Sequence, residues 1–222
     1  MVSQLVVRAV PPFLLPREAG TVLPDAENML DGPELARARA MAPAARDRFL
    51  AGRIAQRLFV AELLAVPATH LTATYSCLRC GAGPNVSHGR PGYLVDGVPA
   101  PVALSLSRAD GWTLLAAVTA PAPELRLGVD VEDPARTGFD GFTDVALTAA
   151  EKRTVRHLTD SPLLAARARL WARKEAWLKM NGDGLRTAPA GVDVLARREL
   201  RDLDPAESGL PAYLAAAVAL SA

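Results

Sequence analysis

One stretch limits the possible folds more than any other. Leu125-Arg126-Leu127-Gly128-Val129-Asp130-Val131-Glu132 alternates in character, so it reads as a β-strand. Leu125, Leu127, Val129 and Val131 share one face, while Asp130 and Glu132 share the other. The apolar face demands a packed core. The acidic face sets two carboxylates roughly 7 Å apart at Cα, where they repel unless a cation lies between them. Oxygen donors at that separation suit Mg²⁺, which takes one or two carboxylates and leaves positions for water and phosphate. A strand end with a solvated acidic face would read the same way in isolation.

A helix supplies the complement. Asp160-Ser161-Pro162 starts it, and Asn181-Gly182-Asp183-Gly184 stops it just after Met180. At about 100° per residue, Leu163, Leu164, Leu170, Trp171, Trp177 and Leu178 form an apolar stripe. Arg167 and Lys174 fall near its middle, Glu175 falls at its edge, and Lys179 lies one turn beyond Glu175. A charge inside a buried stripe is costly without a partner. For Arg167, snorkelling past its apolar neighbours suffices. The lysines say more. Lys152, Lys174 and Lys179 are the only ones in a chain whose other cations are arginines, and the two residue types differ in size, hydration and pKa. Asp130, Glu132 and Glu175, flanked by Lys174 and Lys179, fit divalent-metal-assisted phosphoryl chemistry.

Composition narrows the classes. The chain has 222 residues, with 25 Lys+Arg against 24 Asp+Glu, and half of it is hydrophobic. Such balance argues against a binder of nucleic acid or of a membrane surface, whose affinity rests on massed cations. Arg8, Pro11 and Pro12 interrupt the first apolar stretch, so no targeting signal is read there. No window reaches the roughly 20 uncharged apolar residues of a membrane span. The two cysteines, Cys77 and Cys80, cannot staple a fold, which points to a reducing, cytoplasmic compartment. Asn85-Val86-Ser87 matches a glycosylation sequon by chance.

Helix and strand signals occur in both parts of the chain. A strand is expected at Leu5–Ala9, followed by a Pro-containing loop to residue 25. Ala44–Leu64 reads as a largely buried helix whose Arg46, Arg53 and Arg57 share a narrow basic seam. Thr74–Pro101 reads as loops with a short strand at Tyr93–Val95. Val102–Ser107 and Trp112–Val118 read as a hairpin turning at Ala109-Asp110-Gly111. Thr148–Leu158 is a helix with Thr148 and Glu151 placed as a capping box. Val192–Leu195 and Ala212–Leu220 close the chain as strands. The expectation is an α+β fold of two halves, 1–120 and 121–222, joined near Pro121 and Pro123. Walker A and Gly-x-Ser-x-Gly sequences are missing, and Gly81-Ala82-Gly83 lacks a third glycine and a preceding strand.

Gly128-Val129-Asp130-Val131-Glu132, followed by Trp171-Ala172-Arg173-Lys174-Glu175-Ala176-Trp177-Leu178-Lys179, resembles the 4′-phosphopantetheinyl transferases. That family carries a G-(V/I)-D-(V/I)-E strand and a W-x-x-K-E-x-x-x-K helix. The length resembles the surfactin-type class, in which one chain forms a pseudo-dimer of two similar α+β halves related by pseudo-two-fold symmetry. The resemblance implies a monomer that moves the phosphopantetheine arm of coenzyme A to a serine of an apo acyl- or peptidyl-carrier protein and releases 3′,5′-ADP. It implies that Asp130, Glu132 and Glu175 hold Mg²⁺, while Lys174 and Lys179 stabilise phosphate charge. It further implies coenzyme A contacts from Arg37 or Arg39, from Arg90 in Gly89-Arg90-Pro91, and from Ser105, Ser107 and Arg108 in Ser105-Leu106-Ser107-Arg108. Ser105 and Arg108 replace an Asn and a His of the family pattern. Arg108 keeps a phosphate-binding fork but loses a titratable group. Glu151 matches the position of a general base in relatives, and the capping box explains it equally well. The arginines make a basic patch for an acidic carrier protein plausible. Together with the Arg-, Ala-, Pro- and Gly-rich composition, the resemblance implies polyketide, nonribosomal peptide or fatty acid synthases as clients. Another Mg²⁺-dependent phosphotransferase, or a non-catalytic carrier-binding paralogue, would share the same carboxylates.

Cys77-Leu78-Arg79-Cys80 with His88 resembles a zinc knuckle. A structural zinc site takes four ligands and His88 is only a third, so the segment reads as a loop before Gly89. A redox Cys-x-x-Cys would want a thioredoxin-like βαβ setting, which the surrounding sequence lacks.

Overall fold

A computed structural model of the chain describes residues 4–12, 27–77, 79–83, 86, 88–182 and 184–221. Its architecture is mixed α+β. The first part runs β1 (Leu5–Val10), α1 (Gly32–Arg39), α2 (Pro43–Leu64), β2 (Leu71–Cys77), β3 (Gly81–Gly83), β4 (Arg90–Val95), β5 (Val98–Pro99), β6 (Val102–Ala109) and β7 (Trp112–Thr119). The second runs β8 (Arg126–Glu132), α3 (Phe142–Ala146), α4 (Ala149–Val155), α5 (Asp160–Asn181), β9 (Leu200–Asp202), α6 (Pro205–Ser208) and β10 (Ala215–Ser221). No described helix is long and apolar enough to cross a membrane.

Strand alternation sets the layers. The sheets β1-β7-β6 and β8-β10-β9 are each antiparallel, and in each the first strand pairs with the last and the last with the one before it. Both follow the same plan, with a helix of 22 residues between the first strand and the closing hairpin. One face of β7 (Leu114, Ala116, Val118) packs with one face of β8 (Leu127, Val129, Val131) and with Ala216 and Val218 of β10. The opposite face of β7, Leu115 and Ala117, packs with Phe59 and Val60 of α2 and with Leu71, Ala73 and Tyr75 of β2. The opposite face of β10, Ala217 and Ala219, packs with Ala172, Ala176 and Met180 of α5. Burying side chains of Val and Leu size contributes about 1.5–3 kcal/mol each, so these three interiors are what hold the layers together.

Two positions show why particular residues were required. The β6–β7 turn puts Asp110 at φ 47° and Gly111 at φ 78°, the paired left-handed geometry of a tight hairpin. At Gly128, a Cβ would strike the carbonyl oxygen of Ala176 and come 2.5 Å from the amide nitrogen of Met180. Strand β8 and helix α5 therefore touch backbone to backbone, and this brings the acidic face of β8 against α5.

Several expectations are corrected. Thr74–Pro101 is not mainly loop: β2, β4, β3 and β5 make a further antiparallel sheet. Leu71, Ala73 and Tyr75 are buried while Thr72 and Ser76 are exposed, so the strand period was present but was cut at Thr74. Gly81-Ala82-Gly83 is itself an edge strand, with β2 directly before it. Helices α1, α3 and α6 and strand β9 were not anticipated. Val192–Leu195 is irregular rather than a strand, because side chains from α4 and α5 take its backbone groups: Val192 O and Val194 O accept from Lys174 and Arg173, and Val194 N donates to Glu151. The helix expected to Leu158 stops at Val155, and the last strand begins at Ala215. Residues 13–25 of the expected N-terminal loop lie outside the described residues, as do Asn85 and Ser87 of the sequon and Asp183 of the helix stop.

Candidate active site

The acidic face of β8 and one face of α5 meet as the sequence pattern requires. Asp130 is buried at 2% exposure, and Glu132 and Glu175 are half-buried. Asp130 Oδ1 receives two donors, the ammonium of Lys179 at 2.6 Å and the hydroxyl of Ser107 at 2.6 Å. The same ammonium donates to Val129 O at 3.2 Å and Leu106 O at 3.4 Å. Lys179 thus ties α5 to β8 and β6 at once. Ser105 adds a stitch from below, its Oγ accepting the Val129 N–H at 2.9 Å.

Three carboxylates share one ammonium, and their protonation equilibria show the strain. Burial, together with the neighbouring Asp130 and Glu175, pushes the Glu132 carboxyl up to about 7. Asp130 is raised by burial against the pull of Lys179, and Glu175 is raised by burial and by Asp130. Asp130 Oδ2 and Glu175 Oε1 are buried with no hydrogen-bond partner in the protein. Buried carboxylate oxygens normally find a donor. Two left over, on facing elements and in mutual repulsion, fit a hard divalent cation such as Mg²⁺.

Beside this cluster lies an open cavity of about 380 Å³ lined by Arg37, Arg53, His88, Gly89, Leu106, Ser107, Arg108 and Lys179. Its arginines crowd one another. The Arg108 guanidinium is lowered by burial and then by Arg53, Arg37 and Arg48, and Arg37 is lowered by burial and Arg53. An anion entering the cavity would relieve that repulsion. Arg108 lies across α2 and donates to Arg48 O at 2.8 Å, close enough to Gly52 that a Cβ there would stand 2.9 Å from Nη1. Arg53 stacks on Phe49 and Tyr75 with its charge 5.0 Å and 4.7 Å from the ring centres. Below it, Asp31, Glu34, Arg57 and Tyr75 lock α1, α2 and β2 together through ion pairs and a hydroxyl contact.

The residues expected at the site thus divide. Asp130, Glu132, Glu175 and Lys179 come together, Ser107 bridges the cluster to the cavity, and Arg37 and Arg108 line the cavity wall. Arg39 instead pairs with Glu27 at 3.6 Å in the open. Arg90 is exposed and donates to Met180 O at 2.9 Å, strapping β4 to the end of α5. Ser105 is buried and used by Val129. Lys174 is on another face altogether. It is fully buried, pairs with Glu151 Oε2 at 2.7 Å, and donates to Pro189 O and Val192 O. Glu151, equally buried, caps α4 through Thr148 N at 2.8 Å and accepts Val194 N at 3.0 Å. Between the two readings open for Glu151, the structure provides the cap. Arg167, expected to snorkel, instead donates to Thr137 O and Thr143 Oγ1.

Arg53 and His88 were not singled out as site residues. Arg53 follows Gly52 directly, and that glycine is the available signal: a glycine inside a helical pattern points to a packing reason, here the Arg108 side chain lying against the helix.

Residues 126–211 match the family model of the 4′-phosphopantetheinyl transferase superfamily. The match spans β8 to the segment after α6, and so holds the three carboxylates and Lys179 but not Arg37, Arg53, Ser107 or Arg108. No curated protein matches the chain.

Proposed function

We propose that the protein is a 4′-phosphopantetheinyl transferase of the surfactin-type, single-chain class. It moves the phosphopantetheine arm of coenzyme A to the serine of an apo acyl- or peptidyl-carrier protein and releases 3′,5′-ADP. The observation that carries this reading is the adjacency of unlike charge: a carboxylate cluster with two unpartnered buried oxygens stands next to a cavity walled by Arg37, Arg53, Arg108 and Lys179. A substrate suited to both must be polyanionic and must need a divalent cation. Coenzyme A, with a pyrophosphate and a separate 3′-phosphate, answers that description, and the superfamily match over β8 and α5 supports it.

In this reading Asp130, Glu132 and Glu175 hold Mg²⁺, which when bound neutralises charge on the transferring phosphate oxygens. Lys179 orients Asp130 and brings a cation to the cavity wall. Ser107 fixes the same carboxylate from β6, so the two halves of the chain complete one site. Arg108, Arg53 and Arg37 bind and orient phosphates, Arg108 with a fork suited to two oxygens. Glu151 and Lys174 are positioning residues that hold the segment around Val192 against α5. The repeated strand order of the two sheets supports a pseudo-two-fold relation between halves 1–120 and 121–222. The protein acts as a cytoplasmic monomer serving a polyketide, nonribosomal peptide or fatty acid synthase.

The test is chromatographic. Coenzyme A, Mg²⁺ and an apo carrier protein are mixed with the chain, and 3′,5′-ADP is quantified. Its appearance, absent with a carrier whose serine is replaced by alanine, supports the transfer; release of nucleotide from ATP instead would point to another phosphotransferase.

A further inference from the structure

At the far end of the β2–β3–β4 sheet, Cys77, Cys80 and His88 converge. A sulfur of each cysteine and a ring nitrogen of the histidine all lie within 4.8 Å of one another. We propose that these three side chains bind one zinc ion, with water completing the tetrahedron.

The local fold is built for this approach. Cys77 ends β2, Cys80 follows after a turn that starts β3, and His88 lies two residues before Arg90, which pairs with Ser76 in the β2–β4 ladder. Gly89 makes the closeness possible. Its φ is +96°, and a Cβ there would strike Ser76 O while standing 2.9 Å from Ser76 C and 3.1 Å from Cys77 Cα. Only glycine lets the chain pass so close while turning His88 back over Cys77. The backbone N–H groups of Arg79 and Cys80 are directed at the Cys77 sulfur. Amide donors aimed at a sulfur are the outer support that thiolate ligands of metals require.

The donor set selects the ion. Two thiolates and a neutral imidazole are soft and intermediate ligands, which take zinc and reject Mg²⁺. Zinc–sulfur bonds of about 2.3 Å place two sulfurs about 3.8 Å apart in a tetrahedron, so from a separation of at most 4.8 Å a closure of no more than about an ångström seats the ion. Both Cys80 and His88 are exposed, so zinc enters without unfolding anything. His88 and Gly89 also line the cavity wall. The ion therefore stiffens that part of the cavity wall and uses none of the carboxylates of the Asp130 cluster.

The test uses the full chain, reduced and freed of metal, titrated with Co²⁺ and then Zn²⁺. The expected result is a thiolate-to-cobalt charge-transfer band that saturates at one equivalent, is bleached by one equivalent of Zn²⁺ and is unaffected by excess Mg²⁺. Cys80→Ser, at an exposed position that keeps the fold by circular dichroism, abolishes the band. His88→Ala weakens zinc affinity at least tenfold. No band in the reduced protein overturns the proposal, as does a Cys77–Cys80 disulfide whose reduction still yields no zinc binding. A His88→Ala protein with unchanged affinity refutes the three-ligand site.

Discussion

Lys174 distinguishes two readings of the same motif most sharply. If it meets phosphate, its loss should slow the reaction and leave the fold intact. The structure predicts the reverse. Lys174→Met removes one partner of a fully buried pair whose N–O distance is 2.7 Å, and deprives Pro189 O and Val192 O of their donor. Breaking such a pair costs about 3–5 kcal/mol. Thr148 N and Val194 N still satisfy the Glu151 carboxylate, so the lower end is expected. At about 2–4 °C per kcal/mol for a chain of this size, the melting temperature falls by about 6–12 °C. Joining Lys174→Met to Glu151→Gln recovers part of the loss, since the second change removes the charge the first one strands. Calorimetry and urea titration give the stabilities, and initial rates measured well below the transition give kcat/KM. The account predicts rates within about threefold of the parent for protein that is folded. An unchanged melting temperature with a rate down by about a hundredfold, the loss typical of a missing charge stabiliser, would refute it.

Other consequences follow from the same geometry. Gly128→Ala sets a methyl group against the backbone of α5, where nothing can rotate away, so stability drops by at least about 1–3 kcal/mol by chemical denaturation. Transfer falls with it, as Lys179 and Glu175 move off β8; full stability in that variant would contradict the close approach. Arg108→Ala removes a charged donor from the cavity, and at about 1.5–3 kcal/mol per such bond the KM for coenzyme A rises about tenfold to a hundredfold. A KM unchanged for coenzyme A would remove Arg108 from the phosphate site. Finally, the carboxyls of Glu132, Asp130 and Glu175 are raised, so the folded chain holds protons that the unfolded chain releases near the ordinary carboxylate value. Stability of metal-free protein is then greatest on the acid side and falls as pH rises through about 7, the Glu132 value. Thermal melts in chelator between pH about 5 and about 8 should show that decline, and Mg²⁺ should reverse it at the alkaline end. A metal-free melting curve that rises across this interval would contradict the carboxylate assignment.

Sequence periodicity was a good guide where a strand or helix carried its own pattern. The alternation of Leu125–Glu132 located both the packed face and the acidic face of β8, and the capping box at Thr148 and Glu151 is present. Helical geometry also contained a warning about the lysines. Lys174 and Lys179 are five residues apart, which separates them by about 140° around the axis, whereas Glu175 and Lys179 differ by about 40°. One face of α5 can hold Glu175 and Lys179 against β8, and Lys174 must then look elsewhere. What could not be read lies in tertiary pairing. Helix α1 has a weak apolar pattern and is held by Arg57, which reaches Asp31 and Glu34 from a distant part of the chain. The segment at Val192 reads as a strand by composition, yet α4 and α5 side chains claim its backbone groups. The β2–β4 sheet hid among glycines and prolines that resemble loop punctuation, although Gly89 is what allows β4 to lie against β2.

The central claim is that one site, shared between the β8–α5 carboxylates and the arginine-lined cavity, transfers phosphopantetheine. Intact-mass spectrometry of apo acyl- and peptidyl-carrier proteins incubated with the chain, coenzyme A and Mg²⁺ tests it most directly. The account predicts a gain of one phosphopantetheine group on at least one carrier, abolished by chelation and reduced at least about a hundredfold in rate by Glu175→Gln. Carriers that stay at their apo mass with a chain that fails to bind coenzyme A, or a Glu175→Gln protein that modifies them at the parent rate, would contradict it.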